Sequence, residues 1–471
     1  MINKRTKIVA TISSLNCSVE LIRKLYDAGM DVARLNTAHI TTDEAMILVK
    51  NIRQVSESIA IMIDTKGPNV RVCNLAEPLH VTEGQSVLVS TKPVDPGKGF
   101  QVSYNRFSDE VRIGQSVLVD DGTVELLIVE RKGDALVCTA AHDCTVKDKK
   151  SVNVPGAELN TPALTKKDRD FIDFAIANRL DFIAHSFVRN RDDVMALQSI
   201  LDTNESPIRI IAKIENRQGV TNLDDILEVA YGIMVARGDL GIEIPIEEVP
   251  LIQKHIIYSC MRRHKPVITA TQMLQSMETS ARPTRAEVSD IANAVMDGTD
   301  AVMLSGETAN GKYPVESVEM MSRIIQETEK SPENLFIRAD KDKLASDEPV
   351  RDNIVYAAVE CSRKLQVKGI ICNTSRGTSA NMCAAYRGKV PIFGLTYDNA
   401  VFRQLALTYG IRPVLMPFIA NPHDLLQLSL EMLMTKKLID QHDLVVMVGQ
   451  FAAESPTTDL FSIVRPCNVL T

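Results

Sequence analysis

Eight short apolar runs, each followed by a stretch of helical spacing, limit what this chain can fold into more than any other feature. They are 7–12 (KIVATI), 31–35 (DVARL), 59–63 (IAIMI), 181–185 (DFIAH), 208–212 (IRIIA), 231–235 (YGIMV), 265–270 (KPVITA) and 300–304 (DAVML). Each is too short for an amphipathic helix and lacks strict apolar–polar alternation, as expected of strands buried on both faces. Within each block the runs start roughly 23 to 35 residues apart. Eight β-α units at that spacing predict an α/β fold built on a closed (β/α)8 barrel; an open doubly wound sheet is the alternative.

Two further regions interrupt or follow this rhythm. Between the third and fourth runs lies an insert, 67–160, in which HVTEGQSVLVS, QSVLVDDG and TVELLIVERKGDALVCTA alternate apolar and polar residues between glycine turns. That pattern predicts antiparallel β structure, a small β-barrel placed as a lid over the C-terminal ends of the barrel strands. The barrel itself is then 1–66 with 161–336. After a charged linker, ADKDKLASDEP, five more runs (368–372, 392–395, 414–416, 444–448, 462–464) predict a separate C-terminal α/β domain over 337–471.

Composition excludes several classes of function. Lys and Arg number 53 against 60 Asp and Glu, a net charge of −7, and there is no Trp, so neither a basic footprint nor an aromatic stacking platform for nucleic acid is present. No apolar run approaches the length needed to span a bilayer. The nine cysteines form no CxxC pair, which argues against zinc or redox motifs and fits reduced thiols in a cytoplasmic protein.

In a (β/α)8 barrel the reactive groups come from the ends of the strands. Here the strand ends carry Arg34, Asn36, Asp64-Thr65, Ser186, Lys213 with Glu215, Arg237-Gly238-Asp239, Thr271 and Ser305-Gly306-Glu307. Glu215 and Asp239, hard carboxylates on adjacent strands without His or Cys nearby, suit Mg²⁺ or Mn²⁺; structural salt bridges are the plainer reading. Arg34, Arg71, Lys213 and Arg237 would supply positive charge for a phosphorylated or carboxylated substrate. Lys213 could form a Schiff base, or stay charged beside a metal-bound carboxylate and stabilise an enolate; adjacent Glu215 favours the second.

The motifs KIVATI, DAGMDVARLN, IDTKGPNVR, VDDG, VNVPGA, IAKIENRQG, IMVARGDLGIEIP, ITATQMLQSM and RPTRAEVSDIANAVMDGTDAVMLSGETANGKYP extend this reading. Together with the barrel–insert–C-domain layout, they resemble the pyruvate kinase family, of the bacterial type without an added C-terminal domain, over essentially the whole chain. The resemblance implies transfer of a phosphoryl group from phosphoenolpyruvate to ADP, giving pyruvate and ATP in the last step of glycolysis. It implies Mg²⁺ (or Mn²⁺) on Glu215 and Asp239, enolate stabilisation by Lys213 and phosphate binding by Arg34. Backbone amides of Gly238 and Asp239 would hold the substrate carboxylate, Thr271 would sit near the protonated carbon, and Ser186 would lie on the rim. The nucleotide side is matched by Asn36, His39, Arg71 and Lys150. The family is usually a cytoplasmic homotetramer.

The chain departs from the family pattern in three places. The first turn reads Thr11-Ile12-Ser13-Ser14 where the family has T-I-G-P. The second reads Arg34-Leu35-Asn36-Thr37-Ala38-His39, so Ala38 replaces a serine that gives an oxygen to K⁺, leaving Asn36, Asp64 and the Thr65 carbonyl as ligands. Asn69 stands where K⁺-dependent members carry Glu and independent ones carry Lys. In the C-terminal region, Thr374, Ser375, Gly377, Thr378 and Ser379 form a turn that resembles the family's sugar-phosphate effector loop; a plain capped αβ turn is the alternative. GQFAAESPTTDLF lacks the Gly/His/Lys-rich loop of bisphosphate-activated members, so a monophosphate effector, or none, is expected. A non-catalytic sugar-phosphate sensor and another phosphoenolpyruvate-using barrel enzyme are the competing functions.

Overall fold

The computed structural model describes residues 4–331, 349–449, 458 and 460–470. The linker ADKDKLASDEP, apart from Pro349, and most of GQFAAESPTTDLF lie outside them.

All eight apolar runs are strands. They are β1 (Lys7–Thr11), β2 (Val32–Asn36) and β3 (Ala60–Asp64), then, after the insert, β13 (Phe182–His185), β14 (Arg209–Ile214), β15 (Gly232–Ala236), β16 (Val267–Ala270) and β17 (Ala301–Leu304). They close in the order β1-β17-β16-β15-β14-β13-β3-β2, every pair parallel. The lack of alternation has its cause in this closure. One face of each strand packs inside the barrel, with Val9, Met62, Phe182, Ile211, Met234 and Met303 among the fillers, and the other packs against the surrounding helices. Those helices start where their caps dictate. Thr41 with Glu44, Thr165 with Asp168 and Thr284 with Glu287 form capping boxes, each contributing about 1 kcal/mol.

The insert holds β4 (Val72–Cys73), β5 (Leu79–Val81), β6 (Ser86–Ser90), β7 (Gly99–Val102), β8 (Ser116–Val119), β9 (Val124–Lys132), β10 (Ala135–Ala140), β11 (Cys144–Val146) and β12 (Val152–Asn153). Seven of them form a sheet in the order β12-β8-β9-β10-β6-β7-β4, with β11 and β5 paired separately. A bridge between Arg71 and Ser151 ties the two edges, so the sheet curls around its own apolar core of Val87, Phe100, Val117, Leu126 and Cys138. The pairing is antiparallel as expected except for β6 and β7, which are parallel. The 91–98 loop between them carries Pro93 and Pro96 and crosses back instead of making a hairpin. Gly99 permits that close crossing, because a Cβ there would stand 1.9 Å from the Leu88 carbonyl oxygen.

The C-terminal sheet comprises β18 (Gly369–Asn373), β19 (Ile392–Thr396), β20 (Ile411–Leu415), β21 (Val445–Gly449) and β22 (Leu460–Val464), in the order β20-β19-β18-β21-β22. Only β22 runs antiparallel to its neighbour. This region packs on the N-terminal ends of the barrel strands: Ala406 and Leu407 join the apolar filling of the barrel interior from below. The insert leaves from the opposite end, after β3. The two flanking regions therefore meet the barrel at its two poles.

Candidate active site

The C-terminal ends of the barrel strands converge on one buried ammonium. Lys213, near the end of β14, places Nζ 3.0 Å from Asp64 Oδ1, 2.9 Å from Glu215 Oε1 and 2.9 Å from Ser186 Oγ. Asp64 also accepts from Arg34 Nε at 2.7 Å, and Arg34 Nη1 donates to Thr11 Oγ1 at 2.9 Å. Arg34, Asp64, Ser186, Lys213 and Glu215 are all buried. Strand-end position explains the convergence, since each of these residues lies at or just beyond the last residues of its strand.

The charges in this cluster do not cancel. Three carboxylates, Asp64, Glu215 and Asp239, face two cations. Burial works against the charge of Asp64, but Arg34 and Lys213 outweigh it and hold the carboxyl below its usual range. Burial likewise opposes the ammonium of Lys213, and Asp64 with Glu215 more than offset this, so it stays protonated above the usual lysine range. Glu215 is different. Burial pushes its carboxyl up to about 7, against the pull of Lys213 and with the help of Asp239. Asp239 is also raised, by burial first and then by Asp121 from the insert. Among the described residues no three His, Cys, Asp or Glu side chains group as a complete metal cage. Two under-neutralised carboxylates fit a Mg²⁺-type ion that keeps waters and substrate oxygens as its other ligands.

Thr271 follows β16 with φ +66°, and Gln272 follows with φ +55°. A β-branched residue in the left-handed region carries strain of about 1–3 kcal/mol, which the surroundings must hold in place. The Gly238 N–H, expected to face a carboxylate, donates to Thr271 Oγ1 at 2.8 Å. Arg237 does not point at the charge cluster as expected. Its guanidinium is committed to the Ala270 and Thr271 carbonyls, Gln253 and Asp290.

The other residues singled out in the sequence are distributed as follows. Asn36 Oδ1 accepts from the Ala38 amide, and exposed His39 follows in the same turn. The Thr65 carbonyl accepts from Ser186 Oγ at 2.6 Å, so each of the three groups named for K⁺ has a protein donor. Arg71 and Lys150 lie on the insert, where Arg71 donates to the Lys149 carbonyl and Lys150 pairs with Asp120 at 2.8 Å. No hydrogen bond or ion pair among the described residues joins them to Asn36 or His39. The altered first turn is anchored by Asn16, whose side-chain amide donates to the Thr308 carbonyl at 3.1 Å. In the C-terminal region Gly377 has φ +84° and caps the helix Thr378–Ala385. Thr374, Ser375, Thr378 and Ser379 line a cavity of about 390 Å³.

Sequence reasoning missed Thr11, Asp120, Asp121 and Asp290 as participants. Asp120 and Asp121 adopt φ of +54° and +55° in the VDDG turn, and Asp121 shares a cleft wall with Arg237, Gly238 and Asp239. Their signal was two acids before a turn glycine; Asp290 sits inside a quoted motif but its partner is far away in sequence.

Two family models match the chain: the pyruvate kinase barrel domain over residues 3–318 and the pyruvate kinase alpha/beta domain over 352–464. A pyruvate kinase of Borreliella burgdorferi is 44% identical over 452 residues, covering 95% of this chain and 94% of the relative. One from Geobacillus stearothermophilus is 42% identical, covering 98% of this chain and 80% of the relative. Among solved structures, a pyruvate kinase from Cryptosporidium parvum superposes with a TM-score of 0.92 at 36% identity, covering 98% and 96% of the two chains.

Proposed function

The chain belongs to the pyruvate kinase family, and from that premise we propose how its own residues carry the reaction phosphoenolpyruvate + ADP → pyruvate + ATP. The observation that carries the reading is the buried Lys213 ammonium, set between Asp64, Glu215 and Ser186 beside uncancelled carboxylate charge.

When the phosphoryl group leaves phosphoenolpyruvate, the P–O bond breaks and its electron pair stays on the enol oxygen. Lys213 stabilises that enolate, in a buried place where a fixed positive charge acts far more strongly than in water. Arg34 binds the moving phosphoryl group and is itself oriented by Asp64 and Thr11. The amides of Gly238 and Asp239, at the start of a helix, hold the substrate carboxylate, the Gly238 N–H sharing its donor between the carboxylate and Thr271 Oγ1, its partner in the free site. Thr271 lies where the enolate carbon takes up its proton, and Ser186 fixes the Lys213 ammonium from the rim. Asn36 and His39 on the barrel, with Arg71 and Lys150 on the insert, bind ADP as the insert closes. Glu215 and Asp239 would hold Mg²⁺ or Mn²⁺, which when bound supplies Lewis-acid stabilisation of substrate oxygens.

In this reading 1–66 with 161–336 is the catalytic barrel, 67–160 the lid and 337–471 the regulatory domain of a cytoplasmic homotetramer. K⁺ would find Asn36, Asp64 and the Thr65 carbonyl but no side-chain oxygen at Ala38, so its binding is weak. Activity against KCl at constant ionic strength checks this, and a flat response removes K⁺ from the mechanism. The 374–379 loop takes a sugar monophosphate as effector, or the chain has none; strong activation by fructose 1,6-bisphosphate at sub-saturating phosphoenolpyruvate would contradict both. A coupled assay of pyruvate formation, with Mg²⁺ and then with EDTA, tests the main reading. Turnover that EDTA abolishes is expected, and a folded protein without turnover under any cation would overturn it.

A further inference from the structure

Residues 237 and 238 grip Thr271 from two sides. Arg237 Nη2 donates to the Thr271 carbonyl at 2.6 Å and Nε to the Ala270 carbonyl at 3.2 Å, while the Gly238 N–H donates to the Thr271 hydroxyl at 2.8 Å. Arg237 is in turn fixed through Nη1, 2.7 Å from Asp290 Oδ1 and 3.3 Å from Gln253 Oε1. Its side chain is 10% exposed. These bonds converge on a turn of the barrel rim whose backbone is held in the left-handed region at two consecutive non-glycine residues, Thr271 and Gln272. A guanidinium that spends four of its five N–H donors on these partners is poorly placed to clamp a phosphate. What it can do is hold a strained turn in one shape.

We propose that Arg237, set by Asp290, is a positioning residue for the proton step: it keeps the Thr271 turn in place, so that the enolate carbon is protonated on a fixed hydroxyl geometry. This rests on the reaction proposed above. It divides the site into two parts. Lys213 and Arg34 serve the phosphoryl step, while the Arg237–Asp290 pair serves the carbon acid–base step through Thr271. Displacing a reacting group by about 1 Å costs up to ~10²-fold in rate, so loss of the two-carbonyl grip falls on the step that Thr271 serves.

The test reads that step alone. In D₂O with Mg²⁺ and inorganic phosphate, the reverse of that step is expected to exchange the methyl protons of pyruvate. A C–H bond breaks, its electron pair forms the enolate, the proton leaves to solvent, and a deuteron returns by the reverse path. Arg237→Lys keeps the charge but loses the fork. It is expected to slow exchange ~10-fold or more in the natural background and by less than about twofold in a Thr271→Ala background, since residues acting as one unit are not additive. Asp290→Asn, which leaves Arg237 in place, follows the same background dependence with a smaller effect and guards against misfolding. Equal slowing in both backgrounds, for both variants, would overturn the assignment. If the natural enzyme forms no pyruvate from phosphoenolpyruvate and ADP, it is the reaction that fails; if it turns over and the losses multiply, only the role of Arg237 fails.

Discussion

Two buried clusters of charge sit at opposite poles of the same eight strands, and in only one of them does every carboxylate have a cation of its own. At the lower pole, where the C-terminal region docks, Asp300 meets Arg387 at 2.9 Å and the amides of Tyr409 and Val267 at 3.0 Å each. Asp181 meets Arg403, Arg53 and the Ile61 amide at 2.6, 3.0 and 2.8 Å. Two carboxylates there face three guanidinium groups. At the upper pole Asp64, Glu215 and Asp239 face Lys213 and Arg34 alone, with Asp121 of the insert adding a fourth acid nearby. The residue types are the same at both ends. The difference is that the lower cluster is complete within the protein, while the upper one has carboxylates to spare for the cation proposed above. Carboxylates in excess of their cations, with perturbed protonation and set in a cleft, mark chemistry; fully paired ones mark assembly.

The comparison can be broken at either pole. The largest effect is expected below. Arg387→Met leaves Asp300 buried without its guanidinium, and such a loss costs about 3–5 kcal/mol. Thermal unfolding should shift down strongly while turnover per folded molecule is kept; a lost turnover at unchanged Tm would move function to the lower pole. Next comes Arg34→Met above, where loss of a charge aimed at the transferred group should lower kcat on the order of 10²–10³-fold with a small change in Tm. Steady-state kinetics beside a melting curve separates the two. Third, Mg²⁺ should stabilise the natural protein by about 2.7 kcal/mol at a hundredfold excess over its dissociation constant, and should do so far less for Glu215→Gln. Equal stabilisation of both would place the ion elsewhere.

The smallest effect concerns pH. Lys7, at the lower pole, donates to the Ile411 carbonyl at 2.6 Å, and burial lowers its ammonium to about 8, against the pull of Asp31. The folded value lies below the ordinary one, so between about pH 8 and 10.5 the unfolded chain binds more protons. Stability of the natural protein relative to Lys7→Met should therefore rise with pH across that window, as read from paired denaturant titrations. A flat difference would mean that Lys7 is not desolvated at this contact.

The two poles were also unequally legible in the sequence. Short apolar runs announce themselves locally, so the eight barrel strands, buried on both faces, and the five strands of the C-terminal sheet could be placed. Strand ends then delivered Lys213, Glu215 and Asp239, because topology alone puts them on one rim. What could not be read were pairings across long separations. Lys213 meets Asp64 from 149 residues away and Arg387 meets Asp300 from 87, and neither pattern leaves a local trace. Arg237 was misjudged for the same reason: its sequence position is on the rim, but Asp290 and the Thr271 carbonyl draw its guanidinium sideways. The parallel pairing of β6 and β7 escaped because a proline-rich loop reads as a turn whichever way the next strand runs.

The division between a pole of fully paired carboxylates and a pole with carboxylates in excess is tested most directly by Lys213→Met, with pyruvate formation and thermal unfolding measured on the same preparation. The account predicts a fall in turnover on the order of 10²–10³-fold or more in a protein that still unfolds cooperatively. Turnover within a few-fold of the natural enzyme would contradict it, because the buried ammonium would then have no part in the chemistry.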